Sequence, residues 1–253
     1  MKKFDVTALG ELLVDFTENG MSAQGNPLLE ANPGGAPCNV LSMLQNLGKK
    51  TAFIGKVGAD MFGTMLTQAV KDQGINIDNL VTDDTVHTTL AFVHTGLDGD
   101  RDFSFYRNPG ADMMLREEEI QQEIFADTKI FHFGTLSMTD LRMEQVTKHA
   151  VKKAKEQGAV ISFDPNLRPP LWKKLGDAAD KMWYGISQCD ILKISDDEIS
   201  FLTGTADIDQ GIGKIMEQYC PALICATMGK DGSKAYYKGK SVYAEPFLQK
   251  NTI

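Results

Sequence analysis

Continuous apolar runs that alternate with amphipathic helical stretches predict an α/β fold, a mostly parallel sheet with helices on both faces. The runs at residues 4–10, 51–57, 129–133, 159–163, 191–194 and 222–227 are short and largely apolar, as strands buried on both sides are. The stretches between them repeat their apolar positions at helical spacing. Two of these stop at a glycine, 61–73 at Gly74 and 140–157 at Gly158. At 253 residues and 42% hydrophobic content, the chain can bury one large core.

Taken in order, a buried strand at 4–10 is followed by a break in the rhythm at 11–33. A helix over 36–47 comes next, with Pro37 in its first turn, where a missing amide does no harm. Strand 51–57 and helix 61–73 continue the alternation, and a second break spans 85–112. Both breaks read as strand pairs. In the second, apolar and polar residues alternate over 89–95 and 101–107 around the turn-forming Gly96-Leu97-Asp98-Gly99-Asp100. Two extra strand pairs in an α/β chain are expected to form a small separate sheet, and a sheet laid over a pocket is a lid. The rhythm then resumes with strand 129–133, helix 140–157, strand 159–163, a helix within 171–187, strand 191–194, helices over 196–219 and strand 222–227. The expected organisation is one domain over 1–253, with a β-sheet lid from 11–33 and 85–112.

The formal net charge of −8 and the lack of a basic run argue against nucleic acid or a membrane surface as partner. The N-terminus meets Asp5 almost at once, and no apolar run approaches membrane-spanning length, so a cytoplasmic protein is expected. Cys38, Cys189, Cys220 and Cys225 form no C-x-x-C and no zinc-ligand spacing with histidine, so they are expected to be buried reduced thiols. His87, His94, His132 and His149 fit no metal or triad spacing and read as structural.

Several segments could carry chemistry. Asn32-Pro33-Gly34-Gly35-Ala36-Pro37-Cys38-Asn39 joins an extended segment to a helix through two glycines, which lets backbone amides approach a small polar ligand. Gly10-Glu11-Leu12-Leu13-Val14-Asp15 sets Asp15 near the carboxyl edge of the sheet, where it could accept hydrogen bonds from sugar hydroxyls or serve as a turn acid. Tyr106-Arg107-Asn108-Pro109-Gly110-Ala111-Asp112 ends the second strand pair, and Arg107 and Asn108 can reach inward or sit at a solvated strand end. Asp164-Pro165-Asn166-Leu167-Arg168-Pro169-Pro170 follows a core strand, its prolines stiffening the loop. Arg168 there could stabilise a transferring phosphoryl group or pair with an aspartate. Ser195-Asp196-Asp197-Glu198 is a capping box, and Glu198 could alternatively organise hydrated Mg²⁺. Thr227-Met228-Gly229-Lys230-Asp231-Gly232 leaves the last strand through spaced glycines, as a phosphate cradle or as a hairpin. No Walker A or G-x-G-x-x-G pattern is present, so neither a P-loop NTPase nor a dinucleotide enzyme is indicated.

In this order, the segments 10–15, 34–39, 106–112 and 164–168 resemble those of the PfkB carbohydrate kinases of the ribokinase-like fold, and within that family the fructokinases. The resemblance runs the whole chain and implies an ATP- and Mg²⁺-dependent enzyme that phosphorylates D-fructose at the 6-hydroxyl. It implies that Asp15, Gly34, Gly35 and Asn39 bind the sugar, that Arg107 and Asn108 close from the lid, and that Arg168, Lys193, Thr227, Gly229 and Gly232 face ATP. The family's Asn-x-x-Glu element falls on Ser195-x-x-Glu198, which keeps the acid assigned to Mg²⁺ and changes the amide to serine. A Gly-Ala-Gly-Asp segment, whose aspartate is the family's catalytic base, does not occur in residues 1–253. The base is therefore expected beyond Ile253, and the polypeptide itself is expected to be inactive. Other PfkB enzymes (a 2-keto-3-deoxygluconate kinase, a ribokinase or a nucleoside kinase), a non-catalytic sugar-binding relic and an unrelated nucleotide-binding domain are the alternatives. Lid sheets of this kind have edges that could pair between copies, giving a homodimer.

Overall fold

The computed structural model describes residues 2–95 and 101–247. The chain forms β1 (Phe4–Leu9), β2 (Leu13–Met21), β3 (Pro27–Gly34), α1 (Ala36–Asn46), β4 (Thr51–Gly58), α2 (Met61–Asp72) and β5 (Asn76–Asp83). After them come β6 (Leu90–Thr95), β7 (Arg101–Tyr106), α3 (Glu123–Ala126), β8 (Thr128–Gly134), α4 (Leu141–Glu156), β9 (Val160–Asp164) and α5 (Leu175–Gln188). The last elements are β10 (Ile191–Ser195), α6 (Asp196–Thr203), α7 (Ile208–Gln218), β11 (Leu223–Thr227), β12 (Ser233–Tyr237) and β13 (Lys240–Ala244).

Nine strands build the large sheet in the order β13-β12-β11-β10-β9-β8-β1-β4-β5. From β11 to β5 every pairing is parallel, and β12 and β13 add an antiparallel edge. The α/β expectation holds, because each buried strand carries apolar residues for one helical layer or the other. Val6, Ala8, Phe53 and Val57 pack with Cys38 and Leu41 of α1 and Leu66 and Val70 of α2. Ile54, Phe131, Phe133, Ile161, Phe163, Leu192, Ile194 and Ile224 pack with α4, α5 and α7. The parallel strands all end at one edge, so the loops after β1, β8, β9, β10 and β11 gather there.

The two breaks in the rhythm form the expected small separate sheet, ordered β3-β2-β6-β7. Strands β2 and β3 pair antiparallel, as do β6 and β7, and a parallel pairing of β2 with β6 joins the two hairpins. The turn read at 96–100 lies outside the described residues.

Besides the short α3, three features differ from the sequence reading. Strand β5 has no counterpart in it, because an edge strand with one fully buried position, Asn79, shows no continuous apolar run. The segment after Thr227 is a turn into the antiparallel β12: the Met228 amide donates to the Gly232 carbonyl at 2.9 Å. Exposed β13 carried too little apolar signal to announce that hairpin. Of the four free cysteines, Cys38 and Cys189 are buried, but Cys220 is exposed. It lies between α7 and β11, outside the helix face that packs.

The α5–β9 contact depends on a missing side chain. A Cβ on Gly185 would lie 2.1 Å from Cζ of Phe163, whose ring sits 4.8 Å from that of Phe133. Gly176, in the first turn of the same helix, has nothing within 4 Å of such an atom. Gly185→Ala should therefore overpack the core and cost about 1–3 kcal/mol, while Gly176→Ala should stabilise by roughly 0.5–1 kcal/mol. Thermal melts should move in opposite directions, and a Gly185→Ala protein melting at or above the parent temperature would contradict the packing account.

Candidate active site

The small sheet is inserted between β1 and α1 through a narrow neck. The chain leaves β1 at Leu9, enters β2 at Leu13, and returns from β3 at Gly34 directly into α1. Leu13 pairs with Gly34, and Asp15 with Asn32. A Cβ on Gly34 would lie 2.1 Å from Oδ2 of Asp15. One on Gly35, whose φ is 117°, would lie 2.4 Å from the Glu11 carbonyl oxygen. No side chain fits at Gly35, and one at Gly34 would displace the Asp15 carboxylate, which rests directly on the glycine backbone. Burial holds the Asp15 carboxyl above the usual range, and the nearby Arg168 charge partly offsets this.

A cleft opens in front of the neck. Glu11, Leu13, Asp15, Gly35, Ala36 and Asn39 form its floor, Phe103 and Phe105 of β7 cover it, and Leu136, Asn166 and Arg168 close the far side. Larger hollows lie between α1 and α2 (≈ 290 Å³) and between α7 and the β12–β13 hairpin (≈ 230 Å³). Of these three hollows among the described residues, the smaller cleft brings together carboxylates, an arginine and glycine backbone, so chemistry rather than volume selects it.

Glu11 is the residue that sequence reasoning passed over. It is 4% exposed, and its Oε1 accepts the Ala36 amide at 2.8 Å. Gly35, the N-cap of α1, has no side chain to do this, so an acid 25 residues away caps the helix. One amide that the sequence reading left to a ligand is therefore taken by the protein. Burial raises the Glu11 pKa to about 7, against the opposing pull of the backbone amides of Glu11 and Ala36 and of the Arg107 charge. The available signal was an acid directly after a core strand, in the segment where Asp15 drew the attention.

Arg107 sits differently from the expectation. Its Nε donates to Oδ2 of Asp112 at 2.8 Å, one terminal nitrogen donates to Thr139 Oγ1 at 2.7 Å, and the other to the Leu136 carbonyl at 3.0 Å. Burial opposes its charge, but the Asp112 carboxylate more than compensates and raises its pKa. The guanidinium ties the end of β7 to the loop after β8 and does not line the cleft. Asn108 is exposed and does not line it either.

Arg168 faces the cleft. Its guanidinium carbon lies 5.4 Å from the Phe103 ring centroid, and one nitrogen donates to its neighbour's carbonyl, Leu167 O, at 3.2 Å. Glu198 braces that loop: Oε1 accepts the Leu167 amide and Oε2 the Ser195 amide, both at 2.8 Å. Ser195 Oγ accepts the Glu198 amide in return at 3.3 Å, which completes the capping box. Lys193 pairs with Asp164 at 3.3 Å, and burial raises the Asp164 pKa despite that pairing. Ser195 stands opposite Thr227 in the β10–β11 pairing. Gly229, with φ 51°, has open space around it, whereas a Cβ on Gly232 would lie 2.3 Å from the Ala244 carbonyl, so its bareness serves β13. The structure thus gathers Asp15, Gly35, Asn39 and Arg168 at one cleft, with Gly34 against the Asp15 carboxylate but lining the hollow between α1 and α2, and sets Lys193, Thr227 and Gly229 at the adjoining strand ends. Arg107, Asn108, Glu198 and Gly232 stay outside it.

The buried acid makes stability depend on pH in an unusual direction. From its ordinary 4.5 up to about 7, Glu11 holds its proton more tightly folded than unfolded, so stability falls as pH rises through that window. Above it the loss stays at about 3 kcal/mol. Glu11→Gln keeps an acceptor for Ala36 without a charge. It should melt several degrees above the parent at pH 8, and the two curves should converge near pH 4. An equal gap at both pH values would show that Glu11 is not buried as an ion.

Three known proteins frame this geometry, each by similarity. "Probable fructokinase-2" of Arabidopsis thaliana is 41% identical over 241 residues, 92% of this chain and 71% of that protein. The crystal structure of fructokinase from Xylella fastidiosa superposes with a TM-score of 0.90 at 33% identity, covering 99% of this chain and 77% of that one. Its form with bound ATP gives 0.86 at 34% identity, with 96% and 77% covered. A fructokinase from Vibrio cholerae O395 with bound fructose, ADP and calcium gives 0.87 at 27% identity, with 99% and 79% covered. The model of the pfkB family of carbohydrate kinases matches residues 3–253. The chain belongs to the pfkB family of carbohydrate kinases.

Proposed function

We propose that the cleft binds D-fructose and presents its 6-hydroxyl to the γ-phosphoryl group of ATP. The observation that carries this reading is the Asp15 carboxylate, pressed against Gly34 at the floor of a cleft shared with Gly35, Asn39 and Arg168. A carboxylate, an amide side chain and close-approach backbone are what several sugar hydroxyls require at once. Similarity to fructokinases, one holding fructose with ADP and one holding ATP, supports the same assignment.

In this reading Asp15 accepts from sugar hydroxyls, Asn39 and the Gly34–Gly35 backbone fix the ring, and Phe103 and Phe105 of the lid exclude water. Arg168 faces the charge that builds on the phosphoryl group, and Lys193, Thr227 and Gly229 face the nucleotide. Transfer forms the bond from the 6-oxygen to the γ-phosphorus as the bond to the bridging oxygen breaks, with ADP leaving with the electron pair and the hydroxyl proton passing to a general base. The family resemblance puts that base in a Gly-Ala-Gly-Asp segment, which residues 1–253 do not contain. Among the described residues no group of three or more His, Cys, Asp and Glu could hold a metal, and both Glu198 oxygens already accept amides. These residues do not fit a resident Mg²⁺, which would enter with the nucleotide phosphates.

Binding is the direct test. By calorimetry the chain should bind D-fructose and ATP. Asp15→Ala and Gly34→Ala should each weaken fructose by at least about tenfold and leave ATP affinity near the parent value. A protein that binds ribose more tightly than fructose, or whose fructose affinity survives both substitutions, would overturn the assignment.

A further inference from the structure

We propose that Asp112 sets the charge preference of the sugar site: by holding Arg107 behind the cleft wall it makes the site accept an uncharged sugar and reject a sugar acid. This rests on the sugar-kinase reading of the cleft.

The pair is built tightly. The Arg107 and Asp112 side chains are 3% and 2% exposed, and a terminal nitrogen lies 2.6 Å from Oδ2. The other carboxylate oxygen accepts from Thr89 Oγ1. A Cβ on Gly110 would clash with Thr89 Oγ1 and lie 2.7 Å from Asp112 Oδ1, so the pair packs as it does because Gly110 is bare. The guanidinium nevertheless stands close to the ligand space. Leu136, whose carbonyl it holds, and Glu11, which feels its charge, both line the cleft. Arg107 thus sits behind two residues of the cleft wall.

The other two nearby cations stand beside acids, though among the described residues only Lys193 of the two is ion-paired. Arg168 acts on Asp15, and Lys193 pairs with Asp164. Glu11 adds a further acid at the wall. A carboxylate entering this cleft would lose its hydration beside two acids, Glu11 and Asp15, with Arg168 the one cation in its lining among the described residues. A neutral polyol asks only for hydrogen bonds. Removing the Asp112 charge would release the Arg107 charge toward the wall, which is the missing partner for a sugar acid.

The test is calorimetric binding of D-fructose and 2-keto-D-gluconate, six-carbon ligands that differ in a carboxylate. The parent should prefer fructose by at least about tenfold. Asp112→Asn should narrow that ratio by about tenfold, mainly through tighter binding of the acid. The double variant Arg107→Gln/Asp112→Asn, which removes the pair together, should restore the parent ratio. A parent that binds both ligands alike overturns the inference without any variant, and so does a cooperatively melting Asp112→Asn protein with the parent ratio. A parent that binds neither ligand sinks the sugar-kinase reading itself, and this inference with it.

Discussion

The close approach of two chain segments at the neck constrains the rest of the site. Residues 10–12 and 34–36 cross closely, with Gly35 against the Glu11 carbonyl and Gly34 against the Asp15 carboxylate. That crossing lets a four-stranded sheet leave the large sheet and return to it within one connection, from β1 to α1. It also aims α1, whose first amide is held by Glu11, and it brings Asp15 to the edge where the parallel strands end. A side chain at Gly35 would strike the Glu11 backbone, and one at Gly34 would displace the Asp15 carboxylate.

The charges around the neck follow from this geometry. Placing Glu11 and Asp15 beside glycine backbone deprives them of water, and burial raises both carboxyl pKa values. Buried acids are costly unless something answers them. Here the answers are backbone amides for Glu11 and the Arg168 charge for Asp15. Arg107 and Asp112 settle a separate account at the far end of β7, where a buried ion pair anchors the small sheet to the loop after β8. The cleft lies between these two arrangements, with Glu11, Asp15 and Arg168 in its lining.

Much of this was legible in the sequence, for physical reasons. Strands buried on both faces must be apolar throughout, and helices must show one apolar stripe, so the α/β layers and the two inserted strand pairs could be read directly. Gly34 and Gly35 stood out because adjacent glycines before a helix allow a close backbone approach, and Asp15 because it comes soon after a core strand. The capping box at Ser195 and Glu198 was visible from spacing alone. Partnership across the chain was not. Nothing in the segment 106–112 says that Arg107 turns back onto Asp112 and Leu136 rather than forward, and nothing near Glu11 says that its acceptor role lies at Ala36. Edge strands β5 and β13 escaped notice because solvent on one side removes the apolar run that announces a buried strand.

The most direct measurement of the central claim is backbone amide exchange with and without D-fructose. If the neck is the floor of the sugar site, fructose should slow exchange at Leu13–Asp15, Gly34–Ala36 and Phe103–Phe105, and leave the β12–β13 hairpin unchanged. Protection confined to the hollow between α7 and β12–β13, or no protection at the neck at saturating fructose, would contradict the account.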